Sequence, residues 1–186
     1  MMTGRVLLLG RRARVLDQLA DALRREGLQV RQETDLDGAG TRIDGSTVDV
    51  VALGRGVTGA RRKAIVNALR AKNPDLRVVD GLAPITALLV AQVQEALMTP
   101  APESRIVSAA GIDHGDRGVL LTLRRAAHVT VDLHRLDALY RAYLERVHDG
   151  RLDRGRHVFP TSRRAIHGER FLVIRADEQT TVHPVS

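Results

Sequence analysis

The sequence predicts an α/β protein: a parallel sheet with helices on both of its faces, followed by a smaller α+β unit with antiparallel strands. Through the first 100 residues, short apolar segments alternate with amphipathic segments of helical period, which is typical of a parallel sheet with crossover helices. A stretch with two prolines at 98–103 interrupts this pattern. Beyond it, short segments of period two indicate an antiparallel sheet.

The N-terminal half is predicted to contain four strands and three helices. The strands are expected at residues 5–10, 28–32, 48–53 and 76–79, and the helices at 15–26, 58–72 and 84–98. Gly27 and Pro74 end the first two helices, because glycine adopts the left-handed backbone of a helix end and proline disfavours helix in the residue before it. The glycine-rich stretch 35–47 lacks a helical period, so a helix there is expected to be short or missing.

The C-terminal half has a different pattern. Residues 118–123 and 128–133 are predicted to pair as a hairpin, 137–148 to form a helix, and 171–174 and 181–183 to form terminal strands around a turn. Residues 106–109 are either a fifth strand of the first sheet or the first strand of a second unit. We therefore expect one domain at 1–100, followed by a domain or extension at 104–186.

Composition limits the possible function classes. The chain has 186 residues, of which 44% are hydrophobic and 27% charged, as in soluble globular proteins. The longest apolar run, 84–91, is far shorter than the ~20 residues that span a bilayer, and the N-terminal apolar segment is too short for a signal peptide. We expect a cytoplasmic protein with no membrane partner. The lack of cysteine excludes disulfides, cysteine-bound zinc and thiol catalysis.

The net charge of +7 raises the possibility of a nucleic-acid partner. However, the excess is spread along the chain, with 15 basic and 11 acidic residues in 1–100 and 14 basic and 11 acidic residues in 101–186. A nucleic-acid partner is therefore possible but not favoured.

The predicted parallel sheet places three short loops at its carboxyl edge, where doubly wound folds bind ligands. Glycine amides beside arginines can hold an anion, although tight strand-to-helix turns also use glycine without any ligand. The candidate contact residues at this edge are Gly10, Arg11, Arg12, Gly54, Arg55, Gly56, Asp80 and Gly81. No glycine pattern for a dinucleotide or a nucleoside triphosphate is present, and no cofactor is predicted.

Two segments, Leu19–Val30 and Leu69–Val79, resemble the first helix leading to the second strand, and the third helix leading to the fourth, of response-regulator receiver domains. The resemblance covers about residues 5–80 and implies a flavodoxin-like fold. It also implies a phosphate-accepting aspartate at the end of the third strand, where this chain has Gly54.

Other departures from the receiver pattern fall where its chemistry would be carried out. The acidic pair expected after the first strand is replaced by Leu9, Gly10 and Arg11, and the hydroxyl expected after the fourth strand is replaced by Asp80 and Gly81. Magnesium-assisted phosphoryl transfer needs carboxylates and an oxygen nucleophile. Phosphorylation by the usual receiver mechanism is therefore not expected.

All seven histidines and all four aromatic residues lie at or after residue 114, so acid–base chemistry would have to come from the second half. The loop 111–118 contributes the catalytic candidates Asp113, His114 and Asp116, although glycine and aspartate are also common in simple turns. Residues 150–170, predicted to be irregular, contain candidate anion-binding arginines, namely Arg151, Arg154, Arg156, Arg163 and Arg164.

The alternating segment 128–134 places His128, Asp132 and His134 on one face of a strand. These are metal-ligand residue types, but the two histidines would lie roughly 20 Å apart, too far to share one ion. No metal site is predicted, and we expect this face to be a polar surface toward solvent.

These observations favour a non-catalytic regulatory or protein-interaction module on a degenerate receiver scaffold. Intact receivers commonly dimerise through their last helices, so the apolar helix at 84–97 is expected to serve self-association or contact with a partner protein, unless it is core. Two alternatives stay open. One is a small-molecule- or nucleotide-binding enzyme with its site at the carboxyl edge and in the C-terminal half, and the other is a sequence-independent nucleic-acid binder.

Overall fold

The computed structural model describes residues 4–81, 85–98, 102–113, 118–137, 141–161 and 169–185. The chain divides into two compact units, Met1–Leu97 and Met98–Ser186, which we call the N-terminal and C-terminal units. Among the helices that the structure describes, none is long and apolar enough to cross a membrane.

The N-terminal unit is built on a four-stranded parallel sheet. Its strands are β1 (Arg5–Leu9), β2 (Gln29–Glu33), β3 (Val50–Leu53) and β4 (Arg77–Asp80), in the order β2-β1-β3-β4. This is the order of the first four strands of a flavodoxin-like sheet. β1 and β3 are central and apolar, and their buried side chains form the middle of the core. The predicted parallel α/β architecture is confirmed.

Helices cover both faces of this sheet. They are α1 (Ala13–Arg25), α2 (Ala39–Arg42), α3 (Gly59–Arg70) and α4 (Thr86–Met98). α1 and α4 pack on one face, and α2 and α3 pack on the other. The chain leaves β1 toward β2 on one side and later extends to β3 and β4 on the other. Right-handed crossovers therefore place α1 and α3 on opposite faces.

Local sequence explains the ends of α1. Leu16, Leu19, Ala20 and Leu23 recur at helical spacing and are all buried. Gly27 has φ 84°, in the left-handed region, and its amide donates to the carbonyl of Arg24. The predicted helix stop at Gly27 is confirmed. The glycine-rich stretch after β2 forms only the four-residue α2 and a 3-10 turn at Gly45–Thr47, so the expectation of a short helix is also correct.

The described part of the C-terminal unit contains seven antiparallel strands. They are β5 (Val107–Asp113), β6 (Gly118–Leu123), β7 (Ala127–Leu136), β8 (Ala142–Leu152), β9 (Gly155–Pro160), β10 (Glu169–Ala176) and β11 (Gln179–Val185). One sheet has the order β11-β10-β7-β8 and the other β5-β6-β9. Inward side chains of both sheets share one apolar core, including Val119, Leu121, Val129, Val131 and Leu172. The terminal strands and their turn are confirmed, and residues 107–109 belong to this unit's three-stranded sheet.

The predicted hairpin between 118–123 and 128–133 is wrong, although both strands exist. β6 pairs with β5 and β9, whereas β7 pairs with β10 and β8. The short link between them crosses from one sheet to the other, and Asp177 anchors it by accepting a hydrogen bond from the His128 amide at 3.0 Å and pairing with Arg125 at 3.0 Å. These contacts tie the link to the β10–β11 turn, which local sequence alone does not reveal.

The predicted helix at 137–148 is also wrong, because Ala142–Leu152 form β8. The ladder with β7 pairs Val131 with His148 but Asp132 with Arg146, which leaves Val147 as an extra residue in a bulge. The bulge reverses the alternation of inward and outward side chains along β8. The apolar residues of this segment therefore do not recur at every second position, and their spacing resembles that of a helix.

The packing of the three-stranded sheet leads to a testable prediction about Gly118. A Cβ atom at this position would lie 2.5 Å from the carbonyl oxygen of Phe159 on β9, which is closer than real Cβ atoms approach. We expect Gly118→Ala to lower the free energy of unfolding by about 1–3 kcal/mol, because backbone must move to admit the methyl group. Gly111→Ala on β5 is the matched control, since nothing lies within 4 Å of its added Cβ.

Equilibrium urea unfolding of both variants checks this expectation. The control should stay within about 0.5 kcal/mol of the wild type. Equal stabilities for the two variants would contradict the close approach of β6 and β9.

Candidate functional site

The structure brings the three predicted glycine loops together at the carboxyl edge of the parallel sheet. Gly10, Gly54 and Gly81 directly follow β1, β3 and β4, which are adjacent strands. Gly56 lies next to the side chain of Arg11, 3.8 Å from a Cβ built at Gly56 to Arg11 Cδ. Arg11, Arg12 and Arg55 are exposed. The edge therefore carries a group of arginines, as the sequence indicated.

The amides of Gly10, Gly54 and Gly81 donate to carbonyls of the chain, so these three amides are not free to bind an anion. The Gly54 amide donates to the carbonyl of Leu9 at 2.8 Å, and the Gly81 amide donates to that of Leu53 at 2.8 Å. The Gly10 amide donates to the carbonyl of Glu33 at 3.2 Å. Each bond extends the ladder by one residue beyond the strand. Glycine at position 54 instead has a packing explanation, because a Cβ there would lie 3.3 Å from the Leu9 carbonyl oxygen.

Asp80 at this edge is paired within the unit. Arg62 on α3 donates two parallel hydrogen bonds to Asp80, from Nε to Oδ1 and from Nη2 to Oδ2, both at 3.0 Å. This pairing raises the pKa of Arg62 above its ordinary value, mainly through the hydrogen bond to Asp80. Asp80 therefore joins α3 to β4, and the bidentate geometry explains its carboxylate without a ligand.

The arginines predicted as one irregular segment lie on different structures. Arg151 is on β8, Arg154 is in the turn after β8, and Arg156 is on β9, in the other sheet. Arg156 pairs with the catalytic candidate Asp113 at 3.2 Å. The predicted catalytic residues His114 and Asp116 and the predicted anion-binding residues Arg163 and Arg164 lie outside the described residues. A continuous loop surface for an anion or for nucleic acid is therefore not formed by the described arginines.

The surroundings of two polar residues on β7 differ from the expectation. Asp132 and His134 lie on the same face of β7, as alternation predicted, but they are only 5% and 4% exposed. The expectation of a solvent-facing stripe is wrong for both. His128, at the start of the strand, is exposed as expected.

Asp132 is held between two arginines from the neighbouring strands. It accepts a short hydrogen bond from Arg146 Nε on β8, and Arg175 Nη1 on β10 lies 3.3 Å from its other oxygen. Arg146 also pairs with Asp149 at 2.7 Å. The hydrogen bond to Asp132 is the main cause that raises the pKa of Arg146. The four groups carry two charges of each sign, so the cluster is neutral and ties three strands together.

His134 lies beside this cluster without sharing its charge. Burial lowers the pKa of His134 below its ordinary value. Asp132 opposes this effect and Arg175 adds to it. The imidazole is therefore held neutral near neutral pH. Among the described residues, no group of histidines and carboxylates is arranged to hold a metal ion.

We expect Asp132→Asn to lower the free energy of unfolding by about 2 kcal/mol. The change leaves two cations without their counter-charge, but their side chains are 50% and 38% exposed, so the loss stays below the 3–5 kcal/mol of a fully buried pair. Asp149→Asn, which removes an exposed partner of the same Arg146, should change it by less than about 1 kcal/mol. Urea unfolding measures both, and equal effects would contradict a structural role for the buried carboxylate.

His134 predicts a dependence of stability on pH. Its pKa is lowered in the folded protein, so the unfolded chain takes up a proton first as pH falls below about 6.5, and stability decreases there. The stabilising contribution is present above that pH. His134→Leu should show a smaller loss of stability between pH 7.5 and 5.5 than the wild type. His128→Leu, at the exposed end of the same strand, should keep the wild-type profile, and identical profiles for the two variants would contradict the prediction.

Comparison with known proteins adds no relative: no protein-family model matches the chain, and no curated protein is detectably similar to it in sequence. The resemblance to receivers stays a prediction from the two sequence segments. What the protein does must be argued from its surfaces and charges.

Proposed function

We propose that the protein is a non-catalytic regulatory or protein-interaction module built on a receiver-like scaffold, and that it forms a homodimer. The N-terminal unit provides the scaffold. At the position where receivers accept phosphate it has Gly54, and the neighbouring loops supply Arg11, Arg12 and Arg55 in place of carboxylates. A basic edge of this kind has no nucleophile for a phosphoryl group and no ligands for magnesium.

The self-association surface expected on the last helix must be placed elsewhere. Leu89 and Val93 of α4 are at most 2% exposed and belong to the core of the N-terminal unit. Since these two side chains are already buried within that unit, they are not available to a second copy.

The observation that carries the proposal is the exposure of two large apolar side chains on an edge strand. β8 is the last strand of its sheet, and its residues Tyr143 and Leu144 are 42% and 61% exposed. An edge strand with exposed apolar side chains favours pairing with another strand. β8 is also long, at 11 residues, which lets its amino-terminal half pair while the bulge at Val147 stays outside the contact.

Charge favours a second copy of this chain as the partner. Two copies of β8 related by a two-fold axis pair antiparallel, so the residue on the axis faces itself. Registers centred on Glu145 or Arg146 place like charges directly opposite each other, which is destabilising. Registers centred on Tyr143 or Leu144 instead place apolar side chains at the centre, and the Tyr143 register sets Arg141 opposite Glu145.

The test is the mass of the protein in solution. Sedimentation equilibrium of the full chain should show a species of about twice 20.4 kDa. Leu144→Lys should weaken the dimer at least about tenfold, the equivalent of about 1.4 kcal/mol, because a lysine at the centre of the pairing must be desolvated against its own copy. Val158→Lys is the matched control, since Val158 is 39% exposed on β9 of the other sheet. A monomeric wild type, or equal dimerisation of the two variants, contradicts the proposal.

A further inference from the structure

Arg170 on β10 is a buried guanidinium without a hydrogen-bond partner on two of its nitrogens. The residue is 7% exposed, and its Nε and Nη1 atoms are enclosed without an acceptor. A buried cation that is neither paired nor hydrogen-bonded is strongly disfavoured, and isolated cases are rare in folded proteins. An observation of this kind calls for an acceptor that the described residues do not supply.

A second arginine stands directly opposite. The ladder between β10 and β7 pairs Arg170 with Arg135, so the two side chains leave the sheet on the same face. Arg135 is partly exposed, and its guanidinium carbon lies 4.3 Å from the centre of the Tyr143 ring on β8. Like charges at directly opposed positions repel each other. The pair is therefore arranged at a cost in stability, which a bound anion would remove.

Arg105 adds positive potential near this face, since its charge acts on His183. His183 on β11 lies opposite Leu172, two residue pairs along the ladder from Arg170. Its pKa is lowered, first by burial and then by the charge of Arg105, which shows that Arg105 acts on the same region. Tyr143 closes the row on the side of β8.

Two carboxylates near the pair, Asp137 and Glu145, lie just after β7 and on β8. Asp137 accepts hydrogen bonds from the Arg141 amide at 2.9 Å and the Tyr143 hydroxyl at 3.2 Å. Glu145 is on the same face of β8 but stands opposite Leu133, in the next row. Between the residues that the structure describes, no ion pair includes Arg170.

We propose that Arg170 and Arg135 bind the oxyanion group of a small ligand, a phosphate or a carboxylate, at this end of the four-stranded antiparallel sheet. Arg170 donates a charged hydrogen bond to an oxygen of the anion from Nε or from Nη1, whose N–H groups lie on opposite edges of the guanidinium. Arg135 supplies the second cation from the partly exposed side. The inference does not rest on the proposed dimer, since the arginines belong to strands paired within one chain.

Anion-dependent thermal stability of the full chain tests this site. Sulfate, inorganic phosphate and acetate are each compared with chloride at equal ionic strength, and the anion that gives the largest rise in Tm identifies the class. We expect a saturable rise in the wild type. In Arg170→Met the rise should be lost, and the protein in chloride should be at least as stable as the wild type, because an unpaired buried charge has been replaced by an apolar chain of similar length.

Two further variants make the result decisive. Arg135→Met should weaken anion binding about tenfold or more, as expected for a lost charged hydrogen bond. Arg151→Met, an exposed arginine on β8, should keep the full rise. The measurements are repeated with Leu144→Lys, so that a failure of the anion site is separated from a failure of the dimer.

Three outcomes would overturn the inference. The first is a wild type in which all four anions act alike at equal ionic strength. The second is an Arg170→Met protein that retains the rise. The third is an Arg170→Met protein that is clearly less stable than the wild type in chloride, since Arg170 would then be held by the protein itself.

Discussion

Strand β7 is paired on both sides along most of its length, and the C-terminal unit depends on this double ladder. One face of β7 gives Val129, Val131 and Leu133 to the core between the sheets, and the other gives Asp132 and His134. A slip of one residue would exchange the two faces and bring the carboxylate into the apolar core. The ion pairs of Asp132 cross both ladders, so they oppose such a slip and help to define the register.

The four-stranded antiparallel sheet contains two buried charged residues whose surroundings differ. Asp132 has a cation on each neighbouring strand, which matches its charge and satisfies its oxygens. Arg170 lies one residue pair from the end of the ladder between β10 and β7. It has another arginine opposite it and two enclosed nitrogens without acceptors among the described residues. The charge of Asp132 is matched by residues of the chain itself, and these ion pairs stabilise the fold. The charge of Arg170 is not matched among the described residues, and for that reason Arg170 is the better candidate for a ligand.

In the N-terminal unit, hydrogen bonds within the chain occupy amides at the carboxyl edge of the parallel sheet. In doubly wound proteins, ligands bind where the loops leave the carboxyl ends of the strands. Here the ladder continues one residue further, and the amides of Gly10, Gly54 and Gly81 are used by neighbouring carbonyls. The carboxylate of Asp80, at the end of β4, accepts two hydrogen bonds from Arg62.

The sequence by itself determined the N-terminal unit almost completely, because each of its elements buries one face and its periodicity is local. Strands and helices lie within one or two residues of their predicted bounds there, and the short α2 was also anticipated. In the C-terminal unit, the alternation of polar and apolar residues indicated which side chains share a face, as for Asp132 and His134. It did not indicate whether that face is buried. The identity of β8, the sheet to which β6 belongs and the meeting of Arg170 with Arg135 were decided only by tertiary structure. A bulge at Val147 breaks the local period, and contacts between strands distant in sequence leave no local signal.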